Sequence, residues 1–192
     1  MVPYEFPGDP ELAKEIVQAG KDSGLQVKGI NDPYYMWDYG SVVPLRYLTP
    51  NSDIPVINLS VTLAASIEET YKLGQAIARV CRESDKRIIF LSSGALSHNL
   101  VRGRHHGSTT SEHALDKQFV DFIMNEDYES AYNMLPEYFR MARVESGGRH
   151  IAMLLSMLED DMKPKYHADG QSSGSWNAVI TFEKEKSRVS VG

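Results

Sequence analysis

The stretch from Pro55 to His98 restricts this chain more than any other. Pro55-Val-Ile-Asn-Leu-Ser-Val61 is an apolar-rich run of strand length. Ser66-Ile-Glu-Glu69 has the spacing of a capping box, and Ile67, Tyr71, Gly74, Ile77, Ala78 and Cys81 then recur on one helical face to about Arg82. A second apolar run, Ile88 to Leu91, follows after a short link. Strand, helix and strand in that order make a βαβ unit, which predicts parallel strands and a right-handed crossover. A short continuous apolar run with polar flanks predicts a buried interior strand. The predicted class is α/β: a single domain with a central, mostly parallel or mixed sheet flanked by helices. Ser92, Ser93 and Gly94 break the second run, and Ala95-Leu-Ser-His98 sets a hydroxyl and an imidazole just past its C-terminal end. In open α/β sheets ligands bind at that edge, and an imidazole can exchange protons near neutral pH. A helix-capping turn carrying an incidental histidine is the reading that spacing leaves open beside it.

With 192 residues the chain can bury one real core. A net charge of −6 argues against a nucleic-acid partner, which calls for a basic face. No apolar run is long enough to span a membrane, and Met1-Val-Pro-Tyr-Glu-Phe6 lacks the basic and apolar regions of a secretory signal. The single Cys81 excludes an intrachain disulfide and reads as a buried thiol on a helix. A cytoplasmic location is the expectation.

The remaining elements follow from local signals. Asp9 and Pro10 predict a helix start, Leu12, Ala13, Ile16 and Val17 its stripe, and Gly24 its end. Gln26 to Ile30 reads as a short strand, and Asn31-Asp-Pro33 as a turn. Tyr34, Tyr35, Trp37 and Tyr39 form an aromatic cluster without clear periodicity. Val42 to Leu48 reads as a short helix with Pro44 in its first turn. His105, His106 and His113 fall in what reads as a solvated polar loop, their spacing matching no strong zinc pattern. Leu115 to Met124, Tyr128 to Leu135, Tyr138 to Val144 and Gly147 to Leu158 read as helical pieces, with Met141, Met153 and Met157 as core filler. Lys165 to His167 and Asn177 to Phe182 read as the last strands. Residues 1–182 are expected to form one domain, and 183–192 a frayed tail.

Ser93-Gly-Ala-Leu-Ser-His98 resembles the Ser-Gly-x-Leu-Ser-His segment of the class III extradiol ring-cleaving dioxygenases. Pro7-Gly-Asp-Pro-Glu-Leu-Ala13, Asp38-Tyr-Gly-Ser-Val-Val-Pro-Leu-Arg-Tyr47, Asn133-Met-Leu-Pro-Glu-Tyr138, Ser172-Ser-Gly174 and Trp176-Asn-Ala-Val179 fit the same family in order and spacing. The resemblance implies cleavage of a small catechol or 2-aminophenol by O₂ at Fe(II), the iron held by two histidines and one carboxylate. It makes His98 the acid/base, places Tyr39 on the substrate wall as a catalytic residue, and assigns Ser97, Gly94 and Pro44 to substrate binding. A homo- or hetero-oligomer is also implied.

The family's histidine ligands lie in a stretch before Pro7 that has no counterpart here, and no histidine precedes Asp32. The family's carboxylate position, counted back without gaps from Ser172, falls on Ala168, flanked by His167 and Asp169. Asp169 could serve as a metal ligand if the strand slipped by one residue, though such a slip reverses the faces of its side chains. Weak or no stable Fe(II) binding by this chain alone is therefore expected. Two readings stand: part of an iron-dependent ring-cleaving enzyme, or a non-catalytic subunit or interaction protein on the same scaffold.

Overall fold

The computed structural model describes residues 5–32, 34–99 and 106–184. Local signals set the helices. In α1 (Pro10–Asp22) the Asp9 carboxylate accepts the Leu12 N–H at 3.1 Å and Pro10 occupies the first turn. In α3 (Ile67–Glu83) Ser66 and Glu69 cap each other reciprocally, as their spacing requires. These two helices and α6 (Arg149–Leu155) enclose a first apolar cluster of Leu12, Ile16, Ile77, Val80 and Met153. Gly74 sets the α3–α6 distance: a Cβ there would stand 2.6 Å from the Met153 carbonyl oxygen.

A second, larger cluster joins α4 (Thr110–Met124), α5 (Tyr128–Ala142) and α6 around Leu96, Phe119, Ile123, Leu135, Tyr138 and Ile151. Thr109 and Glu112 form a capping box on α4. That box starts α4 well before Leu115 and corrects the loop reading of His113, whose ring meets that of Trp176 from within the helix at 4.4 Å, tilted by 59°. His106 is exposed in the preceding segment, whereas His105 lies outside the described residues. Two expected helical pieces are one helix, α5, which carries Pro136 internally. Met141 is half-exposed on it and fills no core. Among the described residues no helix is long and apolar enough to cross a membrane.

The architecture is mixed α and β, but its described sheet is a hairpin. Strands β1 (Met162–Ser172) and β2 (Ser175–Lys184) pair antiparallel, and Gly174 takes φ +83° in the tight turn between them. The register shifts between Tyr166 and Ala168, leaving His167 as an extra residue opposite no partner. The final strands are thus where the sequence puts them, and β2 extends into the expected tail as far as Lys184; residues 185–192 lie outside the described residues.

The central parallel sheet is absent among the described residues. Gln26–Ile30, Pro55–Val61 and Ile88–Leu91 carry no strand ladder. Among the described residues, 57–61 and 87–94 make no backbone–backbone hydrogen bond, while Val56 N–H reaches the Pro7 carbonyl. Along 88–91 burial still alternates, whereas residues 56–59 are all partly buried. Ile57, Leu59, Ile88 and Phe90 pack on the first cluster, and Ile89 between them is 90% exposed. Alternation is a property of one extended backbone, whereas a ladder needs a neighbour about 4.8 Å away. The apolar pattern supplied the first condition only.

Candidate active site

The strap Ser92–His98 is anchored differently on its two sides. Its C-terminal residues pair with the start of β2. Leu96 N–H donates to Trp176 O at 2.8 Å, Trp176 N–H to Ser97 O at 2.9 Å, and Asn99 N–H to Gly174 O at 3.0 Å. His98 forms an isolated bridge with Ser175 and donates its N–H to Ala142 O, at the end of α5, at 3.2 Å. The imidazole therefore projects from a backbone fixed by two separate elements.

Beneath it lies Asp116 of α4, 1% exposed. One carboxylate oxygen accepts the Ser97 N–H at 2.9 Å and the Tyr138 O–H at 2.5 Å; the other accepts the Ser97 O–H at 2.7 Å. Burial pushes the Asp116 carboxyl above its usual range, and these donors pull it back. The same burial and the adjacent Asp116 charge push the Tyr138 phenol up, so it stays a donor.

On the other side α5 ends at Arg143 in the left-handed region, and Ser146, Gly147 and Gly148 continue at positive φ through a 3₁₀ turn, Glu145–Gly148. That turn brings Glu145 back onto the strap: its Oε2 accepts the Ala95 N–H at 2.5 Å, and its own N–H donates to Leu96 O at 3.2 Å. His150 follows at the start of α6, 8% exposed, with no hydrogen-bond partner at Nδ1. Its ring lies against Gly94, where a Cβ would come within 2.6 Å of Nε2. Burial holds the His150 imidazole down at about 4, against the opposing pull of Glu145, so the ring is neutral at neutral pH.

The N-terminus of α2 (Tyr39–Leu48) closes the front. Asp38 caps it, starting the helix three residues before the expected Val42. Pro44 then sits inside the helix and offers no N–H to the Gly40 carbonyl. The Ser93 hydroxyl takes that carbonyl instead, at 2.7 Å. Pro44 thus frees the acceptor that ties α2 to the strap, and Tyr39 stands beside the tie, 73% exposed.

Of the residues singled out from the sequence, Gly94, Ser97 and His98 share the strap, and α2 brings Tyr39 and Pro44 to its edge. Asp169 is placed elsewhere. It pairs with Ala178 in the hairpin, hydrogen-bonds with Tyr166, and lines a groove of about 310 Å³ with His113, Lys117, Asp121 and Trp176. The titratable groups that the strap does gather, Glu145 and His150, were not singled out. Their signal was the run Glu145-Ser-Gly-Gly-Arg-His150, polar and glycine-rich just ahead of the apolar face of α6. A carboxylate and an imidazole are donors Fe(II) takes, but no group of three His, Cys, Asp or Glu side chains that could hold a metal exists among the described residues. The described residues alone do not fit an iron centre.

The comparisons concern the chain as a whole. The family described as the catalytic LigB subunit of aromatic ring-opening dioxygenase matches residues 1–182. The chain is 28% identical over 189 residues to 3,4-dihydroxyphenylacetate 2,3-dioxygenase of Escherichia coli, covering 91% of this chain and 67% of that protein. It is 24% identical over 200 residues to the 2-aminophenol 1,6-dioxygenase beta subunit of a Pseudomonas species, covering 95% and 66%. The chain thus spans about two thirds of the length of these curated relatives. In fold it is similar to a crystal structure of an uncharacterized protein from Escherichia coli K12, with a TM-score of 0.73 at 19% identity, over 93% of this chain and 75% of that one. With its family match running from Met1 into the hairpin, the chain belongs to the LigB family of aromatic ring-opening dioxygenases.

Proposed function

We propose that this chain carries the proton-handling part of an extradiol dioxygenase site that opens a small catechol or 2-aminophenol ring with O₂ at Fe(II). The observation that carries this reading is the setting of His98: a partly exposed imidazole on a backbone fixed by α5 and β2, within electrostatic reach of His150. Counted as neutral molecules, the overall reaction adds both atoms of O₂ to the ring and keeps every hydrogen of the substrate in the product, whose new carboxyl group ionises once it is formed. A base that takes a proton from a substrate hydroxyl must therefore give it back, and one imidazole can do both. Tyr39 offers a phenol at the rim, while Gly94 and Ser97 shape the strap beside the ring. Pro44 contributes through the Gly40–Ser93 tie.

The described residues do not assemble a set of ligands for iron. Asp169 lies in the hairpin groove, which Asp116 also lines, and is a poor candidate ligand; Glu145 is the carboxylate that accepts the Ala95 N–H. The family match and the dioxygenase names of the relatives favour the enzymatic reading over a non-catalytic subunit. Subunit assembly belongs to the same proposal, since one relative is named as a beta subunit.

The test is His98→Gln, with iron content, melting temperature and catechol turnover measured on one preparation. Loss of a general acid/base lowers turnover by about 10²–10⁴-fold with iron unchanged. Full turnover per iron in the variant rules out the acid/base role, and loss of iron makes His98 a ligand.

A further inference from the structure

We propose that Asp116 is the positioning residue for His98, acting through Ser97, and that Tyr138 locks Asp116 in that task. This rests on the reading of His98 as the proton carrier. Asp116 makes no hydrogen bond to His98 itself. It instead grips the residue before it at two points, the Ser97 N–H at 2.9 Å and the Ser97 O–H at 2.7 Å. Holding both the backbone and the side chain of Ser97 fixes the peptide from which the His98 Cα–Cβ bond departs.

The direction of these bonds follows from the donor inventory. An ionised carboxylate only accepts, so the Ser97 hydroxyl hydrogen is committed to Asp116. The Ser108 hydroxyl, 2.6 Å away, must then donate to Ser97 Oγ. Tyr138 supplies the third donor to Asp116. Tyr138 and Ala142 are four residues apart, hence on one face of α5. That face therefore holds the Asp116 carboxylate through the phenol and the His98 N–H through the Ala142 carbonyl. The arrangement is a closed loop: α5 to Asp116, Asp116 to Ser97, Ser97 to His98, and His98 back to α5. A carboxylate that merely filled the core would be expensive at 1% exposure, where an apolar side chain of similar size serves as well. Two bonds to a single residue beside the imidazole give the charge a local purpose.

Asp116→Asn tests this with little change of shape. The amide oxygen can still accept from Ser97 N–H and Tyr138. The amide nitrogen replaces the second oxygen and donates to Ser97 Oγ, which forces the hydroxyl to turn round. The full chain, carrying ¹³C-labelled histidine, is followed by NMR at fixed pH, alongside kcat and KM for a catechol after loading with Fe(II). The His98 imidazole resonance is expected to shift and broaden. Turnover is expected to fall about 10- to 100-fold with KM within about twofold, as small misplacement of a reacting group does. In a His98→Gln background the same substitution is expected to add no further loss.

Tyr138→Phe keeps the carboxylate, should move the same resonance by less, and carries the test if Asp116→Asn does not fold. An unmoved His98 resonance in the folded variants overturns the proposal, as does an equal loss of turnover in the His98→Gln background. If the unsubstituted chain holds iron and still turns over no catechol, the ring-cleavage reading fails; with or without iron, the resonance decides whether Asp116 positions His98.

Discussion

Two stretches of extended backbone lie on hydrophobic clusters in this molecule, and they end in opposite states. The strap exchanges hydrogen bonds from Leu96 to Asn99 with Trp176, Gly174, Ala142 and the buried Asp116. The segments at 57–61 and 87–91 lay Ile57, Leu59, Ile88 and Phe90 on the first cluster, yet their backbones bond to no other backbone among the described residues. Both reach the first turn of α2, through Ser41 to Asn58 at 3.3 Å and Ser93 to Gly40. They nonetheless remain unpaired with each other. Burial of alternate side chains therefore holds a segment in place without locking it, and locking comes from backbone partners. The candidate acid/base sits where the locking is complete.

The largest expected difference between the two is in amide exchange. The N–H groups of Leu96, Ser97, His98 and Trp176 should exchange more slowly than those of Ile57, Leu59, Ile88 and Phe90 by about 10³-fold or more, the span between core opening and near-free exchange. Comparable protection in both sets would remove the contrast. Truncation comes next. Asp116→Ala leaves the Ser97 N–H and the Tyr138 O–H buried without an acceptor and should cost about 3 kcal/mol in urea unfolding. A loss below a third of that would mean water replaces the carboxylate at no great cost, and the strap is looser than its bond lengths imply.

Acid should reach the locked region through His150. Its imidazole is held at about 4 in the fold against 6.5 in the unfolded chain, so the unfolded chain binds the proton first as pH falls. The stability this burial confers is complete above pH 6.5 and is lost as pH drops towards 4. Between pH 7 and pH 5 the loss should be about 2 kcal/mol. In His150→Gln that slope should vanish; a slope that persists assigns the acid sensitivity to other groups. The smallest effect belongs to the open region. Ile89→Ser, at a side chain 90% exposed, should change stability by no more than about 0.5 kcal/mol. A larger destabilisation would show that Ile89 is covered in solution.

Signals that act within a few residues were legible before any coordinates. Asp9 with Pro10 and Ser66 with Glu69 cap helices because a cap needs only its own first turn. The last two strands were legible for the same local reason, though the turn at Ser173-Gly174 that joins them as a hairpin was not read from the sequence. The motif Ser93–His98 located the candidate site, and Tyr39 came with it, because the family pattern is read along the chain. Where the sequence stopped was at contacts between distant segments. Hydrophobic alternation in 55–61 and 88–91 reports which side chains face a core, and nothing in it says whether a strand lies alongside. Glu145 and His150 meet the strap only because four residues at positive φ, from Arg143 to Gly148, fold the chain back after α5. Asp116 meets Ser97 across 19 residues, and Tyr138 meets Asp116 across 22. Spacing along a helix can pair residues three or four apart. Bringing a buried carboxylate under a histidine on another element depends on how whole helices pack, and that is decided by the tertiary structure alone.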